Sequence, residues 1–128
     1  MRGCAETPSD RNKTEENALI EGFWIVQYEG LQGNGGGVAL FLKGNVFGGD
    51  SGSTYIGHYQ VDGKTIKADI HIHNYLPGVG SIIGLEGDYD LRVTGSIEGN
   101  IIQASGVPVG EQAAGMALRL TKAADLPD

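Results

Sequence analysis

The 128-residue sequence lacks several features that small proteins use for bracing or targeting. Its single cysteine, Cys4, allows no intramolecular disulfide and no cysteine cluster that could hold zinc or an iron–sulfur centre. No stretch approaches the roughly 20 apolar residues that a membrane helix requires. The residues after Met1 also lack the apolar run of a secretory signal. We therefore expect a cytoplasmic protein without a membrane partner.

Basic side chains are scarce as well. Nine Lys and Arg residues stand against 16 Asp and Glu residues, which gives a net charge of -7. Because such a surface repels phosphate backbones, we expect no direct binding to nucleic acid. The length fits one domain with its own core. Residues 1–18 carry almost no apolar side chain, which predicts a disordered polar tail, then a domain over 19–123 and a C-terminal tail over 124–128.

Runs that favour a helix are also few, whereas glycine is abundant at 22 residues. This composition is typical of short strands joined by tight turns. Alternating and apolar runs predict eight strands, over 20–29, 37–42, 45–48, 55–61, 64–72, 89–93, 97–103 and 116–121. Such strands remove their edges by closing into a barrel or by packing as a sandwich. We favour an all-β fold, an eight-stranded antiparallel up-and-down β-barrel.

The clearest local signal is a hairpin around Asp62-Gly63, which predicts a two-residue type I′ turn. One face would then hold the pairs Val61 with Lys64, Tyr59 with Ile66, Gly57 with Ala68 and Tyr55 with Ile70. The other face would hold His58 with Lys67, Ile56 with Asp69 and Thr54 with His71, since side chains alternate with a period of two. Both strands of the hairpin therefore place most of their apolar side chains on the first of these faces, which we predict to be buried.

The interior of an eight-stranded barrel is either nearly filled or holds one small ligand. Gly57 and Ala68, small residues between large ones, would leave space for a ligand. Gly22-Phe23-Trp24 is similar to the G-x-W signature of lipocalin-type (calycin) barrels, where the Trp closes one end. The candidate ligand-binding side chains in the interior are Trp24, Tyr55, Tyr59, Tyr89 and Met116.

No catalytic or metal site is expected. Asp69, His71 and His73 share one strand face with His58, but we interpret that face as solvated, since zinc sites need closed geometry and supporting partners. The predicted interior contains no His and no carboxylate, so the elements of nucleophilic catalysis are missing. The glycine runs at 33–37 and 48–49 lack a following helix and are interpreted as turns or bulges. We predict a non-enzyme without cofactor or metal.

The exterior offers a candidate partner surface. The first strand is apolar on both sides, so Phe23 and Ile25 should face outward, and Ile56 adds another outward apolar group. These residues, with Asp62 at the hairpin, are the candidate partner-binding residues, and a homodimer through the barrel exterior is one expectation. Scattered surface apolar residues are the alternative.

Several stretches together resemble one bacterial family over residues 20–121. They are Gly35-Gly36-Gly37-Val38, Gly48-Gly49-Asp50, Tyr55-x-Gly57-x-Tyr59 and Gly87-Asp88-Tyr89-Asp90-Leu91-Arg92-Val93-Thr94-Gly95. Their order and spacing resemble the GrlR-like family. The resemblance implies a lipocalin-like barrel that dimerises through its exterior and represses type III secretion genes by binding and inactivating a transcriptional activator.

The family reads its partner through an acidic run in a hairpin loop, which corresponds to residues 61–64 here. In this chain the run is absent, because Asp62 is the one carboxylate there and Lys64 lies beside it. Three hypotheses follow. The first is a regulatory barrel that binds a protein, and the second is a carrier of a small apolar ligand. The third, a hydrolase or metalloenzyme, depends on Asp69, His71 and His73 alone.

Overall fold

The chain folds into a closed barrel of eight antiparallel strands in sequential order. The computed structural model describes residues 16–30, 33–76, 87–110 and 115–127. The strands are β1 (Gly22–Gly30), β2 (Gly33–Leu42), β3 (Asn45–Gly49), β4 (Ser53–Asp62), β5 (Thr65–Asn74), β6 (Tyr89–Glu98), β7 (Ile101–Pro108) and β8 (Met116–Ala124). Because β1 also pairs with β8, the sheet has no free edge. The predicted eight-stranded barrel is confirmed.

Side-chain alternation explains where the core lies. In β5, Ile66, Ala68, Ile70 and Ile72 are buried and the residues between them are exposed. The same period of two recurs in Met116, Leu118 and Leu120 of β8. Each strand thus gives one apolar row to the interior, and burial of these rows drives closure.

The register predicted for the β4–β5 hairpin is wrong by two residues. Asp62 pairs with Thr65, so Gly63 and Lys64 form the loop. A type I′ turn needs positive φ at both loop residues, and here Gly63 alone has it, with φ 63°. Lys43 and Gly44 of the β2–β3 loop are the pair with positive φ at both positions.

The observed inward pairs are Val61 with Ile66, Tyr59 with Ala68, Gly57 with Ile70 and Tyr55 with Ile72. The outward pairs are His58 with Asp69, Ile56 with His71 and Thr54 with His73. A shift by two preserves the faces, which is why the predicted core is right although the partners are wrong.

Two other strand assignments change. The predicted strand at 97–103 is divided by a turn, because β6 ends at Glu98, Gly99 has a φ of 61° and β7 begins at Ile101. The glycine runs predicted as turns or bulges lie inside strands: residues 33–37 are in β2, and Gly48 and Gly49 end β3. Glycine is common in turns, but it is also found inside strands where two backbones approach one another closely.

A short cap closes one end of the barrel. Residues 16–18, which the sequence places in the polar tail, are helical and bind the barrel. Asn17 Oδ1 accepts a hydrogen bond from the Val61 amide at 2.7 Å, and the Tyr59 hydroxyl donates to the Asn17 carbonyl at 3.1 Å. The rest of the predicted tail, residues 1–15, lies outside the described residues.

Trp24 forms the floor above which the cavity begins. Its side chain is 1% exposed, and its indole N–H donates to the Ile20 carbonyl at 2.9 Å. Its ring lies 5.7 Å from that of Phe41, which lies 5.0 Å from that of Tyr59. This aromatic stack fills the barrel at the capped end, in the position that the G-x-W resemblance implies.

Candidate functional site

The barrel interior contains a cavity of about 240 Å³. All eight strands contribute to its lining, mostly with Val, Ile, Leu and Ala side chains. The cavity is larger than the ~150 Å³ apolar cavity that can hold benzene in an engineered protein. It can therefore accept a small apolar molecule with one ring and a short chain.

The predicted ligand-binding residues divide into two groups. Tyr55, Tyr89 and Met116 line the cavity. Trp24 and Tyr59 do not, because they are packed into the floor with Phe41.

Of the two small residues predicted to make space, Ala68 lines the cavity and Gly57 does not. A Cβ at Gly57 would lie 2.0 Å from the Asp69 carbonyl oxygen. Glycine at this position therefore allows β4 and β5 to approach one another, and contributes no ligand space.

A carboxylate lies at the end of the cavity opposite the floor, which corrects the prediction of an interior without one. Asp50 lines the cavity with Tyr28 and Tyr55, and we call these three residues the mouth cluster. Asp50 Oδ2 accepts hydrogen bonds from the Tyr28 hydroxyl at 2.6 Å and from the Tyr55 hydroxyl. Asp50 Oδ1 accepts from the amides of Gly52 and Ser53, each at 2.9 Å.

Hydrogen bonding keeps Asp50 ionised. Burial acts to raise the pKa of its carboxyl, but the bonds from Tyr28, Tyr55, Gly52 and Ser53 outweigh burial and hold that pKa below its ordinary value. Burial and the bond to Asp50 raise the pKa of Tyr28 to about 12, and the pKa of Tyr55 is raised by the same two causes. At neutral pH the mouth cluster is one anion held by two neutral phenols.

The glycines of β2 make room for this cluster. A Cβ at Gly35 would lie 2.7 Å from the Tyr28 ring, and a Cβ at Gly37 would lie 2.8 Å from the Tyr55 hydroxyl. The run at 33–37, which resembles a turn in sequence, thus positions two tyrosines. The order Asp50-Ser51-Gly52-Ser53 is typical of an Asx turn and is the one sequence signal that could have indicated the folded-in carboxylate.

Each candidate metal residue of β5 contacts a side chain of β6 or of Asp88, just before β6, on the outer face of the barrel. Asp69 binds Arg92 at 3.1 Å, His71 Nδ1 lies 2.8 Å from Asp90, and His73 Nδ1 lies 2.9 Å from Asp88. Within the described ranges, no group of three His, Cys, Asp or Glu residues could hold a metal ion. His58 contacts Asn45 at 3.0 Å instead of joining the other two histidines.

These exposed pairs predict a small pH dependence of stability. The hydrogen bond to Asp90 raises the pKa of His71 in the folded protein. The contribution of this pair to stability is therefore full below the pKa that His71 has in the unfolded chain, and it is lost as pH rises through the pKa in the folded protein. The bond from His73 lowers the pKa of Asp88, so that contribution is lost as pH falls through the folded value. These pairs therefore stabilise the fold in the pH range between the folded-state pKa of Asp88 and that of His71.

His71→Gln should therefore remove part of the fall in Tm between about pH 6 and about pH 8. The difference should not exceed a few degrees, because both partners are exposed. Thermal unfolding followed by circular dichroism at several pH values measures it. An unchanged slope in His71→Gln would contradict the assignment.

The outer side of β1–β4 is partly apolar, in contrast to the polar outer side of β5 and β6. Six apolar side chains form one contiguous patch there, which we call the apolar face: Phe23, Ile25, Val38, Leu40, Phe47 and Ile56. Phe23 pairs with Leu40, Leu40 with Phe47, and Phe47 with Ile56, while Ile25 pairs with Val38 in the adjacent row. Five of the six are exposed and Leu40 is half-buried.

The structure brings together three of the four predicted partner residues. Phe23, Ile25 and Ile56 all lie in the apolar face. Asp62 is exposed six residues beyond Ile56 on β4, about 20 Å away, at the capped end. Sequence reasoning missed Val38, Leu40 and Phe47, because their place becomes evident only when the β1–β4 registers are known.

In the described part of the chain, no helix is long and apolar enough to cross a membrane. A scan of protein-family models gives no match to this chain, and a search of curated proteins gives none either.

Proposed function

We propose that this barrel is a non-enzymatic, GrlR-like regulatory protein that acts by binding other proteins through the apolar face, and that its first partner is a second copy of itself. The observation that carries the proposal is the contiguous apolar face on β1–β4. The motif resemblance supports the regulatory role and implies a transcriptional activator as the further partner.

The distribution of charge favours a second copy. The chain carries a net charge of -7, so two copies repel one another over most orientations. None of the six side chains of the apolar face is charged, whereas β5 and β6 carry Asp69, Arg92, His71 and Asp90 in pairs. Contact through the apolar face therefore removes hydrophobic surface from water without bringing charges together.

Barrel closure also restricts how association can occur. Every strand of the closed barrel pairs with two neighbours, so no edge strand lies open along its length to extend the sheet into a second copy, which favours contact through side chains of an outer face. A two-fold symmetric dimer, the commonest form of homo-oligomer, would place Phe47 of each copy against the same patch of the other.

Phe47→Glu should weaken self-association strongly. The aromatic ring is a typical interface anchor, and a glutamate there must be desolvated on contact. We expect a loss of at least ~2 kcal/mol, or about a 30-fold weaker Kd, by sedimentation velocity. Val107→Glu on β7 is the control, since Val107 is 53% exposed and Phe47 44%.

The control should sediment like the wild type. A wild type that stays monomeric up to about 100 μM, far above typical dimer Kd values, would contradict the proposal. If the wild type represses a set of genes in its host and Phe47→Glu still does so, the apolar face is not the regulatory surface.

The cavity supports a second candidate function, the carriage of a small apolar ligand. Its volume of about 240 Å³ and its apolar lining on all eight strands are the specific observations in favour.

A further inference from the structure

We propose that the barrel cavity selects small apolar molecules that bear an amine and rejects those that bear a carboxylate, with Asp50 at the mouth as the selecting group. This inference rests on the second candidate function, ligand carriage. It concerns the chemistry of the ligand's polar end, which cavity size and apolar lining leave open.

The first step is the charge on Asp50. The four hydrogen bonds to its carboxylate come from neutral donors, two phenols and two backbone amides. No ion pair joins it to a basic side chain within the described part of the chain. The carboxylate is therefore held in place and kept ionised by neutral groups, and no basic side chain of the described ranges neutralises its charge.

The second step is the position of that charge. Asp50 is the one charged side chain among the described residues that line the cavity. Next to apolar walls, Coulomb attraction and repulsion are several times stronger than in bulk water. A carboxylate on a ligand would face a fixed anion there, whereas an ammonium group would neutralise it.

The third step is the supply of acceptors. Tyr28 and Tyr55 each donate their single hydroxyl hydrogen to Asp50, so toward a ligand their oxygen atoms act as acceptors. The faces of the same two rings can also attract a cation. An ammonium group at the mouth would thus meet a negative charge, two phenol oxygens and aromatic faces, and no Lys or Arg among the described residues that line the cavity.

The fourth step is size. The cavity exceeds the ~150 Å³ space that accepts benzene, which fits one ring with a short alkyl chain. Such a chain would place the ring among Ile70, Leu91 and Leu118 and its head at the mouth cluster. The ligand class is therefore an arylalkylamine or an amine of similar shape.

Three probes that share a ring and chain test the inference: 4-phenylbutylamine, 4-phenylbutanol and 4-phenylbutyrate. Titration calorimetry at neutral pH should give the amine at least ~10-fold tighter binding than the carboxylate, with the alcohol between them. In Asp50→Asn the amine should lose about 10-fold and the alcohol should change little. Glu98→Gln is the matched control. It also removes one negative charge, but from an exposed residue at the capped end of the barrel, opposite the mouth cluster.

Equal binding of amine and carboxylate by the wild type, or an unchanged preference in Asp50→Asn, would overturn the inference while leaving ligand carriage intact. Failure of all three probes, the alcohol included, would overturn ligand carriage as well. If Asp50→Asn does not fold, salt dependence in the wild type decides. Amine binding should weaken as salt is raised while alcohol binding does not, and equal salt dependence would overturn the inference.

Discussion

Trp24→Ala is expected to lower the free energy of unfolding by about 3–5 kcal/mol, the range for removing a buried aromatic side chain. Trp24 is 1% exposed and stacks on Phe41. Its removal would leave a void at the capped end and deprive the Ile20 carbonyl of its 2.9 Å hydrogen bond. Neighbouring strands cannot collapse into the void easily, since a closed barrel fixes their spacing.

Urea unfolding followed by far-ultraviolet circular dichroism measures this loss, because Trp24 is the single tryptophan and its fluorescence disappears with it. Trp24→Phe keeps a ring and removes the N–H donor, and should cost about 1–3 kcal/mol. If Trp24→Ala costs less than about 1 kcal/mol, the aromatic floor does not hold the barrel closed.

Gly57→Ala should also destabilise the protein strongly, by about 3 kcal/mol or to the point of unfolding. The added Cβ would lie 2.0 Å from the Asp69 carbonyl oxygen and 2.9 Å from the Ile70 Cα. Both obstacles are backbone atoms, so no side chain can rotate away. The two strands must separate, and the β4–β5 ladder would lose hydrogen bonds.

Gly36→Ala is the matched control for this substitution. Its Cβ would meet the Val26 carbonyl oxygen at 3.1 Å, a tight contact that a small shift can relieve. We expect that variant to remain within about 1 kcal/mol of the wild type in the same urea experiment. Similar losses in both variants would mean that glycine at Gly57 is not required by the close strand approach.

The fold could be predicted from sequence because alternation is a local signal. Ile66, Ala68, Ile70 and Ile72 specify the inner face of β5 without knowledge of any other strand. The hairpin partner residues were wrong because Asp62-Gly63 and Gly63-Lys64 are both plausible loops. The pairing of Asp62 with Thr65, and a backbone at Asp62 without the positive φ that a type I′ turn needs, distinguish them.

The mouth cluster as a whole could not be predicted, since it needs a contact distant in sequence. The turn after β3 holds Asp50 through the amides of Gly52 and Ser53, but Tyr28, which completes the cluster, is 22 residues away. The apolar face was partly predicted for a related reason. Ile56 stands out as an apolar residue on a polar face, whereas the run Leu40-Phe41-Leu42 is apolar on both sides and indicates no face.

Hydroxyl-radical footprinting of the unmodified protein at high and low concentration tests most directly whether the apolar face is a protein interface. Aromatic rings react faster than valine methyl groups, so in a monomer Phe47 should be labelled more than Val107, given exposures of 44% and 53%. We predict that at high concentration Phe47 and Ile56 are protected while Val107 is labelled, and that dilution removes the protection. Labelling of Phe47 above Val107 at every concentration would contradict the claim.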